Sequence, residues 1–353
     1  MKNISLFFSF LIIAAALMLG CNSERLADNP VSNQDNDTGG LNKPSVPGPP
    51  KLLVSGLQST LGSTIGPGGD LFIPEGAVGM ISRINPRTGE KTTFASGLPP
   101  LIPDVGIGGV TDVAFMGGTA YALVTLVDDP VLFPTGLVNG IYRIDGPNSF
   151  TVIADIGAYN LAHPPTGFDF FVGTGVLYTI QTYRGGFLVT DGHLNRVLRI
   201  TLDGNITQFK AFGDVVPTGL EVHGNTVYMA EAGPVPHLPE NGKVVAFSPN
   251  SSTVTSVASG ARLLVDVEFD RGQTLFALAQ GVFHEGDPPG SPAMPNTGSL
   301  VRINADGSFT EITDGLDRPT SLEFIGNTAY IVTLTGEIWT ISNVAGPPFG
   351  FSH

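Results

Sequence analysis

The sequence repeats a short apolar pattern six times. The repeated runs are DLFIPEG (70–76), TAYALVT (119–125), GFLVTDG (186–192), TVYMAEA (226–232), TLFALAQ (274–280) and TAYIVTL (328–334). Their equivalent positions recur about every 50 residues, a period typical of solenoids and propellers. A repeat of this length predicts that one small structural unit is built six times and packs against its own copies.

Each repeat unit contains four short strands. The first strand, for example TGLEVHGN (218–225), ends in a glycine turn and leads into the repeated run. A third strand such as GIYRIDG (140–146) and a fourth such as SFTVIADIG (149–157) complete the unit. Alternating apolar residues, β-branched enrichment and Gly, Asn and Asp turns are typical of antiparallel strands. We therefore expect an all-β fold, a six-bladed β-propeller with four antiparallel strands per blade.

The sixth unit stops after its third strand, GEIWTISNV (336–344). The segment KLLVSGL (51–57) resembles the fourth strand KTTFASGL (91–98) of the first unit. We expect this N-terminal strand to close the last blade, because an open ring would expose two sheet edges. The propeller domain is then predicted over 51–345, followed by a short tail over 346–353.

The N-terminus predicts an extracytoplasmic lipoprotein. Residues 1–21 combine the positive charge of Lys2 with a nearly continuous apolar run and end in Met-Leu-Gly-Cys, which resembles a bacterial lipobox. Cys21 is the single cysteine of the chain, so lipidation at Cys21 and a membrane anchor are expected. An ordinary cleaved signal or an uncleaved anchor is the alternative. Asn22 weakly favours the outer membrane, and the polar segment 22–50 is predicted to be a disordered tether.

Composition and charge exclude several classes of protein. The chain has 353 residues with 46 Gly, 28 Pro and only 14% charged residues, which argues against helical bundles and coiled coils. Lys and Arg number 17 against 31 Asp and Glu, giving a net charge of −14 that repels phosphate backbones. We therefore expect no nucleic-acid partner. The chain contains no HExxH, GxSxG or Walker motif.

The long insertions predict a ligand-binding face. They occupy 126–140, 158–174, 232–242 and 281–298, and all of them join strand ends that lie on one face of an up-and-down propeller. We expect this face to bind a small molecule or a protein partner. Its candidate residues are Glu75, Asp112, His163, Asp191, His193, Thr218, Glu231, His237, Asp266 and His284. Capping of the following turn is the structural alternative for Glu75, Asp191 and Glu231.

A second candidate site lies in the central channel. The aligned first strands place Glu221, Glu268 and Glu323 at one level in three successive blades. If these carboxylates face the channel, they form an arc that could hold a hard cation such as Ca²⁺. Solvated channel lining, or pairing with an arginine between blades, is the alternative.

Three stretches carry a resemblance to a known family. They are GFLVTDGHLNRVLRI (186–200), VVPTGLEVHGNTVYMAEAGPVPHLPENGKVV (215–245) and DRPTSLEFIGNTAYIV (317–332). The chain resembles the ScyD/ScyE family of extracytoplasmic propellers, named for genes associated with scytonemin biosynthesis. More broadly it is similar to NHL-type and gluconolactonase-like six-bladed propellers. The resemblance implies the propeller fold but settles no activity.

Three functional hypotheses follow from these patterns. The first is a non-catalytic, lipid-anchored propeller that binds a ligand or protein on the face with the insertions. The second, implied by the gluconolactonase-like resemblance, is a metal-dependent hydrolase or lactonase with a divalent cation as Lewis acid. The third is a quinone-dependent sugar dehydrogenase, for which His193 and Arg184 are the only candidate residues over the channel.

Overall fold

The computed structural model describes residues 46–249 and 251–345. Within these ranges it contains six four-stranded antiparallel sheets and one short α-helix. The six sheets follow one another around a ring. The innermost strands of successive blades pack against each other from the first blade to the sixth, and the Ser63 and Ser321 hydroxyls, 2.8 Å apart, join the first blade to the last. This arrangement confirms the predicted six-bladed β-propeller. The predicted signal peptide (1–21), residues 22–45 of the predicted tether and the predicted tail (346–353) lie outside the described residues.

The first half of the chain contains strand β1 (Lys51–Val54), which belongs to blade 6, and then blades 1 to 3. The strands of these three blades are β2 (Thr64–Ile65), β3 (Leu71–Glu75), β4 (Met80–Ile84) and β5 (Lys91–Ser96) in blade 1; β6 (Gly109–Met116), β7 (Thr119–Thr125), β8 (Gly140–Gly146) and β9 (Ser149–Asp155) in blade 2, followed by α1 (Ile156–Ala162); and β10 (Leu177–Tyr183), β11 (Gly186–Asp191), β12 (Arg196–Thr201) and β13 (Ile206–Ala211) in blade 3.

The second half builds the remaining blades with the same strand order. They are β14 (Pro217–His223), β15 (Thr226–Glu231), β16 (Lys243–Phe247) and β17 (Val254–Ser259) in blade 4; β18 (Leu264–Phe269), β19 (Leu275–Ala279), β20 (Gly298–Ile303) and β21 (Phe309–Leu316) in blade 5; and β22 (Pro319–Ile325), β23 (Thr328–Thr333) and β24 (Ile338–Ile341) in blade 6, which β1 completes.

The hydrophobic core lies in layers between neighbouring blades. Leu123 and Ile141 of blade 2 pack with Phe187 and Val189 of blade 3, and all four side chains are buried. Because each blade is sandwiched between two others, its middle strands are buried on both faces, and every residue of β11 is buried. This explains why the repeated apolar runs are nearly continuous instead of strictly alternating.

The ring closes through β1, as the sequence predicted. Lys51 pairs with Thr340 and Leu52 with Trp339 in an antiparallel register. Beyond β1, the Leu57 amide donates to the Gly336 carbonyl at 3.0 Å. Leu57 itself is 4% exposed. The last blade therefore consists of strands from both ends of the domain.

Four blades share a sharp backbone turn just before the innermost strand. The turn residue has a left-handed φ, and its carbonyl accepts the amide of the residue that follows the second strand. These pairs are Ser59 with Gly76, Val216 with Ala232, Leu263 with Gln280 and Arg318 with Leu334, at 2.9–3.0 Å. A positive φ is unfavourable for Val, Leu and Arg. Because the same turn recurs, its strain belongs to the propeller architecture and does not mark a site in one blade.

The two ends of the propeller differ in the length of their loops. We call the end formed by 76–79, 97–108, 126–139, 156–176, 192–195, 212–216, 232–242, 260–263, 280–297, 317–318 and 334–337 the inserted face. The other end carries short hairpins and the start of β1, where the Gly48 amide donates to the Ser342 carbonyl at 2.8 Å. The chain that precedes the domain therefore enters on the face opposite the insertions.

One element of the inserted face was not predicted from the sequence. The connection between blades 2 and 3 begins with the helix α1 instead of an irregular loop. Asp155 caps this helix by accepting the Ala158 amide at 2.8 Å. Seven residues without a clear 3.6-residue period give too short a pattern to separate from a loop. Among the described residues, no helix has the length and hydropathy of a membrane span.

Deletion of 51–57 tests ring closure. We expect aggregation or a large loss of thermal stability, because β24 loses its partner strand and the buried Val54 and Leu57 are removed. Burial of each of these side chains is worth about 1.5–3 kcal/mol. Thermal unfolding followed by circular dichroism measures the effect. Deletion of 22–45 is the control and should change little; equal melting temperatures for the two truncations would contradict closure by β1.

Candidate ligand-binding face and channel

The innermost strands carry a three-residue pattern that occurs twice around the channel. Blades 1 to 3 present a glycine, an aspartate and a hydroxyl residue at one level, and blades 4 to 6 repeat this order. The two sets are Gly62, Asp112 and Thr179, then Gly219, Asp266 and Ser321. The ring therefore has an approximate two-fold symmetry at this level of the channel.

The first aspartate joins blade 2 to blade 3. Asp112 accepts the Ile180 amide at 2.9 Å and the Thr179 hydroxyl at 3.1 Å through Oδ2, while its Oδ1 accepts the Val113 amide at 2.8 Å. The glycine of blade 1 leaves room for this side chain, because a Cβ at Gly62 would lie 2.1 Å from Asp112 Oδ1. The Asp112 carboxylate is thus committed to contacts between blades.

The second aspartate repeats the arrangement between blades 5 and 6. Asp266 accepts the Leu322 amide at 2.8 Å and the Val267 amide at 2.9 Å. A Cβ at Gly219 would lie 2.4 Å from Asp266 Oδ1. Burial raises the pKa of Asp112 and of Asp266 to about 7, although their backbone hydrogen bonds lower it. Asp112 and Asp266 were predicted to lie on the ligand-binding face. The structure places both inside the channel, where they form hydrogen bonds between neighbouring blades.

The three predicted channel glutamates come close to one another. Glu221 accepts a hydrogen bond from Gln181 Nε2 at 2.9 Å, and burial raises its pKa to about 7. Burial followed by repulsion from Glu221 and Glu323 raises the pKa of Glu268 well above its ordinary value. The pKa of Glu323 is also raised well above its ordinary value, first by burial and then by repulsion from Asp266 and Glu221.

Of these carboxyl groups, Glu268 and Glu323 line a cavity of about 240 Å³ in the channel, together with Asp112 and Asp266. Tyr178 of blade 3 reaches across the ring, and its hydroxyl lies 3.4 Å from the Thr320 carbonyl of blade 6. The lining residues follow Tyr178 and Thr320 along their strands, towards the short hairpins. The tyrosine side chain therefore separates the cavity from the inserted face.

The channel does not contain a ready-made metal site. Among the residues that the structure describes, no group of three or more His, Cys, Asp or Glu side chains is arranged to hold a metal ion. The glutamates are near enough to repel one another, but their oxygens do not converge as a ligand set. Ca²⁺ binding by Glu221, Glu268 and Glu323 stays a prediction.

On the inserted face, the carboxylates of Glu75 and Asp191, which end the second strands of blades 1 and 3, have several hydrogen-bond partners. Glu75 accepts the Gln58 amide at 3.0 Å and the Ser82 hydroxyl at 2.5 Å, and it pairs with Lys91 at 2.7 Å. Asp191 accepts Asn160 Nδ2 at 2.7 Å, the Leu194 amide at 3.0 Å and the Val176 amide at 3.1 Å. The Leu194 contact agrees with capping of the following turn by Asp191, whereas Glu75 makes no side-chain hydrogen bond to the turn that follows it.

The equivalent residue of blade 4 differs. Glu231 is 4% exposed, and no described residue donates a hydrogen bond to its carboxyl group. Burial raises its pKa to about 7, opposed by the charge of Lys243 on the neighbouring strand. In blade 3 the amide of Val176, which precedes β10, donates to Asp191. In blade 4 the equivalent amide of Val216, which precedes β14, donates to the Asn195 side chain at 2.8 Å and not to Glu231.

The other predicted face residues have structural partners. The Thr218 hydroxyl lies 2.9 Å from the Leu264 carbonyl of the next blade. His163 stacks on Tyr159 with ring centres 4.3 Å apart, and His237 is 5% exposed with its ring edge against Phe283. His284 is exposed and lies 3.3 Å from Asp287. The structure spreads these residues around the face and does not gather them into one pocket.

His193 holds the segment that follows α1. Its Nε2 accepts two backbone amides, from Phe171 at 3.0 Å and from Val172 at 3.1 Å. A nitrogen that accepts both amides carries no proton, so the imidazole is neutral with its proton on Nδ1. Burial lowers the pKa of His193, while the charges of Asp191 and Asp214 oppose this shift.

The inserted face also exposes apolar side chains, which the sequence analysis did not single out. Eight of the twelve exposed large apolar side chains in the described residues lie there: Val78, Ile107, Val131, Leu137, Leu161, Phe171, Val235 and Leu238. Burial could not be read from loop sequences without periodicity. The available signal was the presence of these residues in otherwise polar insertions.

Comparisons with known proteins give structural similarity only. No protein-family model matches the chain, and no curated protein matches its sequence. A PQQ-bound aldose sugar dehydrogenase from Streptomyces coelicolor has a TM-score of 0.57 at 16% identity, over 85% of this chain and 99% of that one. A gluconolactonase from Xanthomonas campestris has a TM-score of 0.56 at 12% identity, over 83% and 89%.

A third solved structure is equally distant in sequence. Virginiamycin B lyase from Staphylococcus aureus has a TM-score of 0.50 at 16% identity, over 83% of this chain and 98% of that one. These proteins carry out different reactions on a similar fold. The TM-scores show that this chain shares the propeller fold of these structures, and identities of 12–16% transfer no activity to it.

Acidification should release the segment that His193 holds. Since its pKa is lowered in the folded protein, the stabilisation is complete above about pH 6.5 and is lost as the pH falls through the lowered pKa. We expect hydrogen-exchange protection factors of the Phe171 and Val172 amides to fall between pH 7.5 and pH 5. His193→Gln keeps an acceptor without titrating and should show no such change. Equal pH dependence in that variant would contradict the assignment.

The channel carboxyls should make the metal-free protein less stable as the pH rises. A raised carboxyl pKa means that stability is present below the ordinary pKa and is lost as the pH rises through the folded-state value. In chelator, we expect the melting temperature to fall between pH 5 and pH 8 by about 5 °C or more. Replacing Glu221, Glu268 and Glu323 together by Gln should remove part of this fall.

The same variant tests the predicted cation. If Ca²⁺ binds the glutamates, adding it at pH 8 raises the melting temperature of the wild type by mass action and leaves the triple variant unchanged. An unchanged wild type, or an equal rise in both proteins, would contradict a Ca²⁺ site formed by these residues.

Proposed function

We propose that this protein is a lipid-anchored extracytoplasmic propeller, similar to ScyD/ScyE proteins, that binds a partner on its inserted face. One observation supports this best. The long insertions and eight exposed large apolar side chains lie at the same end of the ring. Exposed apolar clusters on a soluble domain are typical of interaction surfaces. A protein partner fits better than a small molecule, because these residues come from the loops of several blades and spread over a broad face.

The position of the tether supports the same proposal. The chain enters the domain next to Ser342, on the face opposite the insertions. With lipid on Cys21 and a tether over 22–50, the anchor joins the ring at the end opposite the inserted face, which leaves the inserted face free to meet a partner. We propose the outer membrane as the site of anchoring, in keeping with Asn22.

A metal-dependent hydrolase or lactonase is the second candidate. The channel cavity with its crowded carboxyl groups favours it, as does the fold shared with a gluconolactonase. The described residues offer no group arranged to hold the metal that this chemistry requires. The cavity also lies behind Tyr178 as seen from the inserted face. Binding on the inserted face is therefore the better supported function.

Photo-crosslinking from the two ends of the ring tests the proposed function. A photoreactive residue at Val131 or Leu238 in the full-length chain in cells should give discrete protein adducts. The same residue at Leu202, which is 44% exposed at the end with the short hairpins, or at Val152, which is 41% exposed on the outermost strand of blade 2, should give none. Adducts from both sets, or from neither, would contradict a partner on the inserted face. Cys21→Ala should release the chain from membranes, and retention after high salt would contradict the lipid anchor.

A further inference from the structure

The strongest apolar exposure on the inserted face is concentrated where blades 2 and 3 meet. Val131 is 85% exposed, Phe171 is 64% exposed and Leu161 is 45% exposed. They come from three separate segments: the insertion after β7, the end of α1 and the connection to β10. We call Val131, Leu161 and Phe171 the blade 2–3 corner.

Buried polar contacts join these three segments into one platform. Asp129 is 2% exposed, and its Oδ1 accepts the Val131 and Leu132 amides, each at 3.0 Å. Its Oδ2 accepts the Thr174 amide at 3.4 Å. The Leu161 side chain lies over this connection, because a Cβ added at Gly173 would be 2.9 Å from Leu161 Cδ2.

His193 and Arg196 also hold these segments in place through buried contacts. His193 binds the Phe171 amide and packs its ring edge-on against the Phe171 ring, with centres 4.5 Å apart. Arg196, which is 2% exposed, donates to the Asn160 side chain at 2.7 Å and to the His163 carbonyl at 2.8 Å at the end of α1. The apolar side chains are thus held outward by a network of buried polar groups.

The exposed Asp, Glu, Lys and Arg side chains of the described inserted-face loops are all acidic. Six acidic side chains of the inserted-face loops are exposed: Asp104, Asp169, Asp214, Glu240, Glu285 and Asp287. No Lys or Arg in those described loops is exposed; Arg262 and Arg318 are both half-buried. A surface of this kind attracts cations and repels acidic partners. Asp169 is exposed and precedes Phe171 by two residues on the same segment.

We propose that the blade 2–3 corner docks a cationic amphipathic segment of a protein partner. The segment places apolar side chains on Val131, Leu161 and Phe171 and directs Lys or Arg side chains towards Asp169 and the acidic loops. This inference rests on the proposed function and adds the chemistry of the partner. Preorganisation of the corner lowers the cost of ordering on binding.

Binding of three synthetic peptides to the full chain tests the proposal. The peptides share one amphipathic apolar pattern and carry Lys, Gln or Glu at every polar position. The protein is held in phosphatidylcholine nanodiscs, with empty nanodiscs as the blank, and binding is followed by fluorescence anisotropy. We expect the Lys peptide to bind at least tenfold more tightly than the Gln peptide and to weaken as salt rises, because salt screens exposed charges. The Glu peptide should not bind.

Variants of exposed residues supply a matched control. Val131→Ser with Phe171→Ser should weaken binding of the Lys peptide at least tenfold, whereas Val152→Ser with Leu202→Ser should leave it unchanged. Equal melting temperatures establish that both variants fold. Equal binding of the three peptides, loss of binding in both variants, or binding only of the Glu peptide would overturn the proposal. If one of these peptide results occurs while photo-crosslinking from the inserted face still gives discrete protein adducts, the proposed function stands and the cationic partner is rejected.

Discussion

Closure of the ring completes the interfaces between blades, because a blade buries both faces only when it has a neighbour on each side. The last neighbour exists because β1 pairs with β24 and brings the two ends of the domain together. Without this pairing, β24 would present unpaired backbone groups to solvent. Lys51 and Leu52, which begin β1, are exposed, so the strand is held by its backbone register and by the burial of Val54 and Leu57.

Closure also explains the chemistry of the channel. Six innermost strands converge on a narrow axis, and their inward side chains must either fit together or repel one another. The channel resolves this with glycines that leave room for Asp112 and Asp266, whose carboxyl groups then bind amides of the next blade. One level further along, Glu221, Glu268 and Glu323 lie close together, and burial and repulsion between carboxyl groups raise their pKa values. The convergence of the innermost strands therefore gives Asp112 and Asp266 hydrogen-bond partners in the next blade, and it brings the three glutamates close together.

The fold was largely predictable from the sequence, whereas the site was predictable only in part. Strand order and closure follow from local patterns that recur six times, so the repeat compensates for weak signals in any one blade. The proximity of Glu221, Glu268 and Glu323 followed from the same alignment. The partners of Glu75 and Asp191 did not, because their hydrogen bonds come from loops without periodicity. The exposure of Val131 and Phe171 likewise depends on buried contacts of distant residues such as Asp129 and His193.

Tyr178 separates the two places where this protein could act. Its side chain crosses the ring from blade 3 to blade 6, so the carboxyl-lined cavity lies on the side of the short hairpins. The blade 2–3 corner lies at the other end, on the loops of the inserted face. Chemistry in the cavity and docking at the corner therefore use different residues and different faces. A change that abolishes one can leave the other intact, and for that reason the two functional hypotheses can be decided separately in the same folded protein.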